Sequence, residues 1–188
     1  MDSLIATLFS VLIAEIGDRP QILAAALALR FGNDRIVIAA LALATALNCV
    51  LSAMAGSMID QWISEDPLRL FNGMAFIFAG AGMLLWRRQV ELLDGWRIGP
   101  FLTAFLGLFI LQFGDKGQFI IAANAAMTPY WLFTALGGWI GIMAAIVPAI
   151  ILKEKLAQML PLKAIRWTGG VLLLLWGMLQ ALRAWRIV

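Results

Sequence analysis

The sequence has few of the charged residues with which soluble proteins face water. Of its 188 residues, 13% are charged and 63% are apolar, whereas soluble domains have about 25% charged and about 45–50% apolar residues. The 14 basic and 11 acidic side chains are too few to cover a water-facing surface of this size. The composition excludes a soluble globular domain, a disordered chain and a nucleic-acid-binding protein. The net charge of +3 is typical of basic loops in membrane proteins.

Histidine is absent, and Cys49 is the single cysteine. One cysteine excludes an internal disulfide, and without histidine it also excludes a thiolate or imidazole zinc site. The most common general base is missing as well, so that an intramembrane enzyme would have only an aspartate pair to work with. We therefore expect neither an enzyme nor a bound cofactor.

Long apolar runs predict an all-α integral membrane protein with six transmembrane helices. A helix needs about 20 apolar residues to cross the hydrocarbon core of a bilayer. We predict six such segments, of which the third and sixth are short and the first and fourth are long: 4–29, 36–59, 70–86, 98–127, 128–152 and 167–182. We expect a multi-pass protein of the bacterial inner membrane. The sequence leaves the oligomeric state open, a homo-oligomer included.

Lysine and arginine are distributed unevenly between the two sides of these spans. Nine fall on one side and three on the other, and two lie inside spans. The nine are Arg30, Arg35, Arg87, Arg88, Arg97, Lys153, Lys155, Lys163 and Arg166, and the three are Arg69, Arg183 and Arg186. Because basic loops stay in the cytoplasm, we expect both termini outside and the segment 87–97 to be a cytoplasmic linker.

A motif repeats at an offset of 97 residues. Gly17-Asp18-Arg19 matches Gly114-Asp115-Lys116, and Gln21 matches Gln118. Each half has three predicted spans, an odd number, so the second half must enter the membrane upside down relative to the first. We therefore predict two inverted three-helix repeats, residues 1–86 and 98–188, a plan common among secondary transporters.

Three of the acids lie inside predicted spans: Glu15, Asp18 and Asp115. A charge at the centre of a membrane helix costs about 2.5–3.5 kcal/mol on insertion scales. Such groups must point into the protein, and they are functional candidates by default.

Amide side chains accompany these acids at regular spacing. Polar residues recur every third position in both spans, which predicts that they share one side of a helix. The two sets are Glu15, Asp18 and Gln21, and Gln112, Asp115 and Gln118. If the repeat brings them together near the midplane, three carboxylates and three amides surround one small volume. Such oxygen ligands suit the hard cations Ca²⁺, Mg²⁺ and Mn²⁺.

Two basic residues, Arg19 and Lys116, accompany the intramembrane acids. Arg19 lies four residues after Glu15, within reach of a helical ion pair. One interpretation is that these charges only neutralise each other. We prefer a second, in which a cation displaces the fixed positive charges or alternates with protons on the carboxylates, because a low-dielectric site favours the protonated form of a carboxyl group. This is the physical basis of cation–proton exchange.

The segment Glu15-Ile16-Gly17-Asp18-Arg19 resembles the Glu-x-Gly-Asp-Lys/Arg-Thr/Ser signature of the Gdt-like family of membrane cation transporters. These are the Golgi, plastid and bacterial manganese and calcium exchangers. The resemblance covers nearly the whole chain and implies two inverted three-helix halves, each with one signature. It also implies exchange of Mn²⁺ or Ca²⁺ for H⁺, with Glu15, Asp18 and Asp115 as binding residues and with Gln21 and Gln118 at the polar position that follows each signature.

Both signatures depart from the family pattern. Gln112 stands where the family usually has Glu, and Pro20 and Gly117 occupy the Thr/Ser positions. The site therefore has three carboxylates instead of four. Two alternatives stay open: a transport-inactive membrane scaffold with a degenerate site, and an exporter of another cation or small cationic solute.

Other polar residues within spans have structural interpretations. Thr45, Asn48 and Ser52 form a stripe that favours helix–helix hydrogen bonds over the lining of a pathway. Asn124 is a candidate ligand only if the fourth predicted helix is broken, because a straight helix would turn it away from Asp115.

Overall fold

The computed structural model describes residues 1–85, 89–159 and 161–185. Trp86, Arg87, Arg88 and Arg186, the last three of which entered the count of basic residues, lie outside these ranges. The elements within them are all helical: α1 (Asp2–Glu15), α2 (Arg19–Phe31), α3 (Asp34–Asp60), α4 (Glu65–Leu85), α5 (Pro100–Gln112), α6 (Lys116–Ala125), α7 (Trp131–Leu152), α8 (Glu154–Met159) and α9 (Leu162–Ala184).

Four of these helices, α3, α4, α7 and α9, are long and apolar enough to cross a membrane. Their ends lie within five residues of the predicted spans. The pair α5 and α6 meets the same criterion together, with a bend of 66° between the two helices. The described part of the chain therefore has four to five candidate spans. Their outer faces are apolar, as lipid contact requires; Phe78, Leu172 and Leu175 are more than half exposed.

The first and fourth predicted helices are each broken in the middle. α1 ends at Glu15 and α2 begins at Arg19, while α5 ends at Gln112 and α6 begins at Lys116. The backbone turns at Gly17 (φ +75°) and Gly114 (φ +72°), a left-handed conformation that glycine adopts without steric cost. The expectation that each set of polar residues lies along one continuous helix was therefore wrong.

Helices of one half of the chain pack on helices of the other half. α1 packs against α7 and α5 against α3, while α2 contacts α7 as α6 contacts α3. Each of these contacts therefore has a counterpart in which the two halves are exchanged.

The pair α4 and α9 has the most extensive contact, and glycines make it close. A Cβ atom at Gly80 would lie 2.5 Å from the carbonyl oxygen of Gly170, and one at Gly177 would lie 2.6 Å from that of Gly73. The two backbones therefore approach closely at these glycines.

The bundle has two distinct ends. At one end, Arg30 at the end of α2 donates hydrogen bonds to the carbonyl oxygens of Leu93, Asp94 and Trp96, at 2.7, 3.1 and 3.0 Å. We call this the linker end, where α4 also ends and α9 begins. At the opposite end, the terminus end, α1 begins and α9 ends.

Candidate functional site

The two helix breaks bring three acids together inside the bundle. One carboxylate oxygen from each of Glu15, Asp18 and Asp115 lies within 4.8 Å of the other two. Their side chains are 3%, 17% and 13% exposed, respectively. We call these three residues the acid cluster. The structure thus places side by side the three acids that the sequence marks as intramembrane.

Two basic residues neutralise the acid cluster in a crossed arrangement. Lys116 contacts Asp18, and its Nζ atom lies 3.5 Å from Asp115 Oδ2 and 4.0 Å from Glu15 Oε1. Arg19 Nη2 donates to Asp115 Oδ1 at 3.4 Å. Each half of the chain therefore supplies the cation that pairs with the aspartate of the other half.

This pairing differs from the expected helical ion pair between Arg19 and Glu15. The helix ends at Glu15, so the four-residue spacing no longer brings the two side chains together. With all five groups ionised, the three carboxylates and two fixed cations have a net charge of −1.

Glutamines hold both breaks in shape. The Gly17 N–H donates to Gln21 Oε1 and the Gly114 N–H donates to Gln118 Oε1, each at 2.8 Å. The Nε2 atom of Gln21 also donates to the carbonyl oxygen of Ala145 at 2.7 Å. The amide oxygens of Gln21 and Gln118, which were predicted as cation ligands, thus each use one lone pair on the backbone of their own break. The constant four-residue spacing from glycine to glutamine is the sequence signal for this.

Gln112 occupies the position equivalent to Glu15, at the last residue of α5. Its Oε1 atom accepts a hydrogen bond from Thr45 Oγ1 at 3.2 Å. Asn48 donates to the carbonyl oxygen of Phe109 at 3.1 Å, so the helix–helix interpretation of Thr45 and Asn48 is confirmed. Gln112 is 3% exposed, and its Nε2 atom has no hydrogen-bond partner among the described residues.

A cavity of about 480 Å³ runs from the breaks along α4 toward the linker end. Arg166, near the start of α9, lines it and donates from Nε to the carbonyl oxygen of Met83 at 2.8 Å. A second cavity of about 280 Å³ adjoins the first at Gly17 and reaches Lys163 and Trp167. Asp18 and Asp115 of the acid cluster therefore line the first cavity, together with Arg19 and Lys116.

Toward the terminus end, a polar network connects three helices. Asn72 Nδ2 donates to Asn124 Oδ1 at 2.9 Å, and Asn124 Nδ2 donates to Thr7 Oγ1 at 3.1 Å. The structure thus places Asn124 in this network and not in the acid cluster. The sequence gives no signal for the network, because its members come from three distant helices and share no spacing.

Comparison with known proteins identifies the family. The family model described as "Divalent cation/proton antiporter GDT1" matches residues 3–91 and 100–187, one match in each half. The chain is 32% identical over 183 residues to a Vibrio cholerae protein named "Putative manganese exporter", covering 93% of this chain and 88% of the relative. It is 26% identical over 200 residues to "GDT1-like protein 3" of Oryza sativa, in both the indica and the japonica subspecies, covering 92% of this chain and 71% of each relative.

No solved structure matches the chain. The family matches include both copies of the doubled motif and nearly all of the described helices. The chain is therefore a multi-pass integral membrane protein that belongs to the GDT1 family of divalent cation/proton antiporters, a family of cation transporters and not of enzymes.

Proposed function

We propose that the protein exchanges a divalent cation, Mn²⁺ or Ca²⁺, for protons by alternating access to the acid cluster. The observation that carries this proposal is the crossed pairing of Arg19 and Lys116 with three clustered carboxylates, of which Glu15 is buried and Asp18 and Asp115 are partly buried. The positive charges of Arg19 and Lys116 balance the carboxylates when no transported cation is bound. The name of the Vibrio cholerae relative makes Mn²⁺ the first cation to test.

Coupling to protons follows from the chemistry of the ligands. A carboxylate must be deprotonated to bind a metal ion, so a divalent cation and protons compete for Glu15, Asp18 and Asp115. A buried site with unbalanced charge is costly, which favours crossing of the membrane only with a cation or with protons on the acids. Competition combined with this restriction yields exchange.

The cation ligands in this proposal are the three carboxylates of the acid cluster. Amide oxygens are the next candidates, because each has two lone pairs and those of Gln21, Gln112 and Gln118 use one in the hydrogen bonds described above. Carboxylate and amide oxygens are the donors that Mn²⁺ and Ca²⁺ prefer. No resident cofactor is part of this scheme.

We further propose six spans arranged as two inverted three-helix repeats, 1–86 and 98–188, around the linker 87–97. In this arrangement α1 with α2, and α5 with α6, each form one broken span. The exchanged helix contacts and the two separate family matches support it. Discontinuous helices at a midplane site are typical of transporters built in this way. The basic residues of the linker end favour a cytoplasmic position for that end, with both termini outside, in the bacterial inner membrane.

An asymmetry between the halves supports alternating access. α4 packs on α6, where Asn72 and Asn124 are hydrogen-bonded. The equivalent pair in the other half, α9 and α2, does not pack to a comparable extent in the described residues. We infer that exchanging these two packings would close the linker side and open the terminus side.

Flux into proteoliposomes tests the proposal. The purified protein is reconstituted with a metal-sensitive dye and a pH dye inside, and Mn²⁺ or Ca²⁺ is added outside. The expected result is entry of the cation with exit of protons. A folded protein that moves neither Mn²⁺ nor Ca²⁺ would favour the transport-inactive scaffold. Selective flux of a different cation would favour the exporter of another cation.

A further inference from the structure

Gly117 faces the buried acid of the opposite half. In the first turn of α6, a Cβ atom at this position would lie 2.5 Å from Glu15 Oε1 and 3.9 Å from a side-chain carbon of Val11. The carboxylate of Glu15 thus occupies the space that a side chain at residue 117 would fill. The family signature described in the sequence analysis has Thr or Ser at this position, so glycine here is a departure from that pattern.

Packing holds Glu15 at this point, because no hydrogen bond to its carboxylate is found among the described residues. The residue is 2% exposed, and its Oε2 atom has no hydrogen-bond partner among the described residues. Its Oε1 atom is 4.0 Å from Lys116 Nζ. The free space at Gly117 therefore decides how far the carboxylate reaches toward Asp18 and Asp115.

The equivalent position in the other repeat supports the same relation. There Pro20 occupies the Thr/Ser position, and Gln112 stands in place of the acid. Glycine therefore accompanies the position that keeps its glutamate, whereas proline accompanies the position where glutamine replaces the acid.

We propose that Gly117 determines specificity by letting Glu15 reach deep enough to hold the three carboxylates together, which favours Mn²⁺ over Ca²⁺. Ca²⁺ takes six to eight oxygen ligands at about 2.3–2.6 Å in flexible geometry, whereas small divalent ions need shorter bonds and a tighter shell. The inference rests on the proposed function, because it assumes that the acid cluster binds the cation.

The size of the displacement follows from the contact distance. Ordinary van der Waals contacts of a Cβ atom begin at 3.4 Å, so a methyl group at residue 117 would push Glu15 Oε1 back by about 0.9 Å from its 2.5 Å position. The displaced atom is the far end of a flexible side chain, so the helices need not move. Gly117→Ala therefore changes the cation site with little change in the fold.

The test compares the dissociation constants of Mn²⁺ and Ca²⁺ for the purified wild-type protein and for Gly117→Ala. We expect the affinity for Mn²⁺ to fall about tenfold, which corresponds to about 1.4 kcal/mol, and the affinity for Ca²⁺ to change less. Gly95→Ala is the matched control, because a Cβ atom there meets nothing within 4 Å. An unchanged ratio of the two constants in Gly117→Ala would overturn the inference.

A double-mutant cycle separates this role from a general structural effect. In a Glu15→Ala background the new methyl group has no carboxylate to displace, so Gly117→Ala should leave the Mn²⁺ dissociation constant unchanged. An equal loss in both backgrounds would overturn the inference. Wild-type protein that binds neither cation would overturn both proposals. A third outcome would overturn only the proposed exchange. In it, the wild-type protein binds both cations, Gly117→Ala changes the ratio of their dissociation constants as expected, and the wild-type protein exchanges neither cation for protons.

Discussion

Replacing Lys116 by methionine should raise the affinity of the protein for Mn²⁺. Methionine keeps much of the length and volume of the side chain and removes the charge. Lys116 is 11% exposed, contacts Asp18, and lies 3.5 Å from Asp115 and 4.0 Å from Glu15. A divalent cation that binds these three residues must displace the ammonium group or share the carboxylates with it.

The magnitude can be bounded from these distances. Two unit charges 4 Å apart interact with about 4 kcal/mol at an effective dielectric constant of about 20. Removing Lys116 removes three attractions of this order, all of which compete with the cation. Part of the gain is offset, because the desolvation penalty of the buried ammonium also disappears. We expect at least a tenfold gain in affinity, which is about 1.4 kcal/mol.

Metal titration of the purified protein at one fixed pH measures this gain, with Lys116→Arg as the control that keeps the charge. Thermal unfolding gives a second readout, because a ligand that binds only the folded state raises its stability in proportion to affinity and concentration. The apo form of Lys116→Met should unfold at a lower temperature than wild type and gain more from Mn²⁺. A folded variant whose Mn²⁺ affinity equals or falls below that of wild type would refute the competition between Lys116 and the cation.

Three further substitutions test other parts of the structure. Gln112→Glu should raise Mn²⁺ or Ca²⁺ affinity and make that affinity more dependent on pH, because an amide cannot carry the proton that a carboxyl group exchanges. Metal titration of the purified protein at two pH values measures this. An unchanged dependence of the affinity on pH would place residue 112 away from the ion. Asn124→Ala removes two hydrogen bonds, worth roughly 0.5–1.5 kcal/mol each. Backbone amide hydrogen exchange in α6 should therefore become at least fivefold faster. An unchanged exchange rate would argue that the Thr7–Asn124–Asn72 network does not hold the terminus side together. Gly80→Ala should destabilise the fold by about 1–3 kcal/mol, as overpacking does, because its Cβ atom would lie 2.5 Å from a backbone oxygen. Gly82→Ala is the control and should not destabilise the fold, because its Cβ atom would meet nothing within 4 Å. Equal unfolding temperatures for the two variants would contradict the close α4–α9 packing.

The sequence predicted the apolar helices well because hydropathy records contact with lipid along a whole helix. The predicted spans 36–59 and 128–152 correspond to α3 (Asp34–Asp60) and α7 (Trp131–Leu152). Hydropathy does not record a local change of backbone direction. The broken spans were therefore predicted as single segments, although Gly17 and Gly114 with their glutamines four residues on carry the local signal.

The acid cluster could be predicted from the doubled motif, since an intramembrane charge must face the protein interior. The ion pairs of the acid cluster with the two basic residues could not be predicted. Arg19 reaches Asp115 and Lys116 reaches Asp18 because the two breaks meet in the folded bundle, and sequence spacing describes only neighbours on one helix. The Thr7–Asn124–Asn72 network could not be predicted for the same reason, because it joins residues that are distant in the sequence and meet only in the folded bundle.

Proton movement driven by a Mn²⁺ gradient tests the central claim most directly. Liposomes with the reconstituted protein are loaded with Mn²⁺, with equal pH on both sides and with the membrane potential clamped by potassium and valinomycin. Exit of Mn²⁺ should acidify the interior in proportion to the metal lost, and Asp18→Asn and Asp115→Asn should each abolish both movements. Exit of Mn²⁺ without proton entry, or exchange at the wild-type rate in both variants, would contradict coupled exchange at the acid cluster.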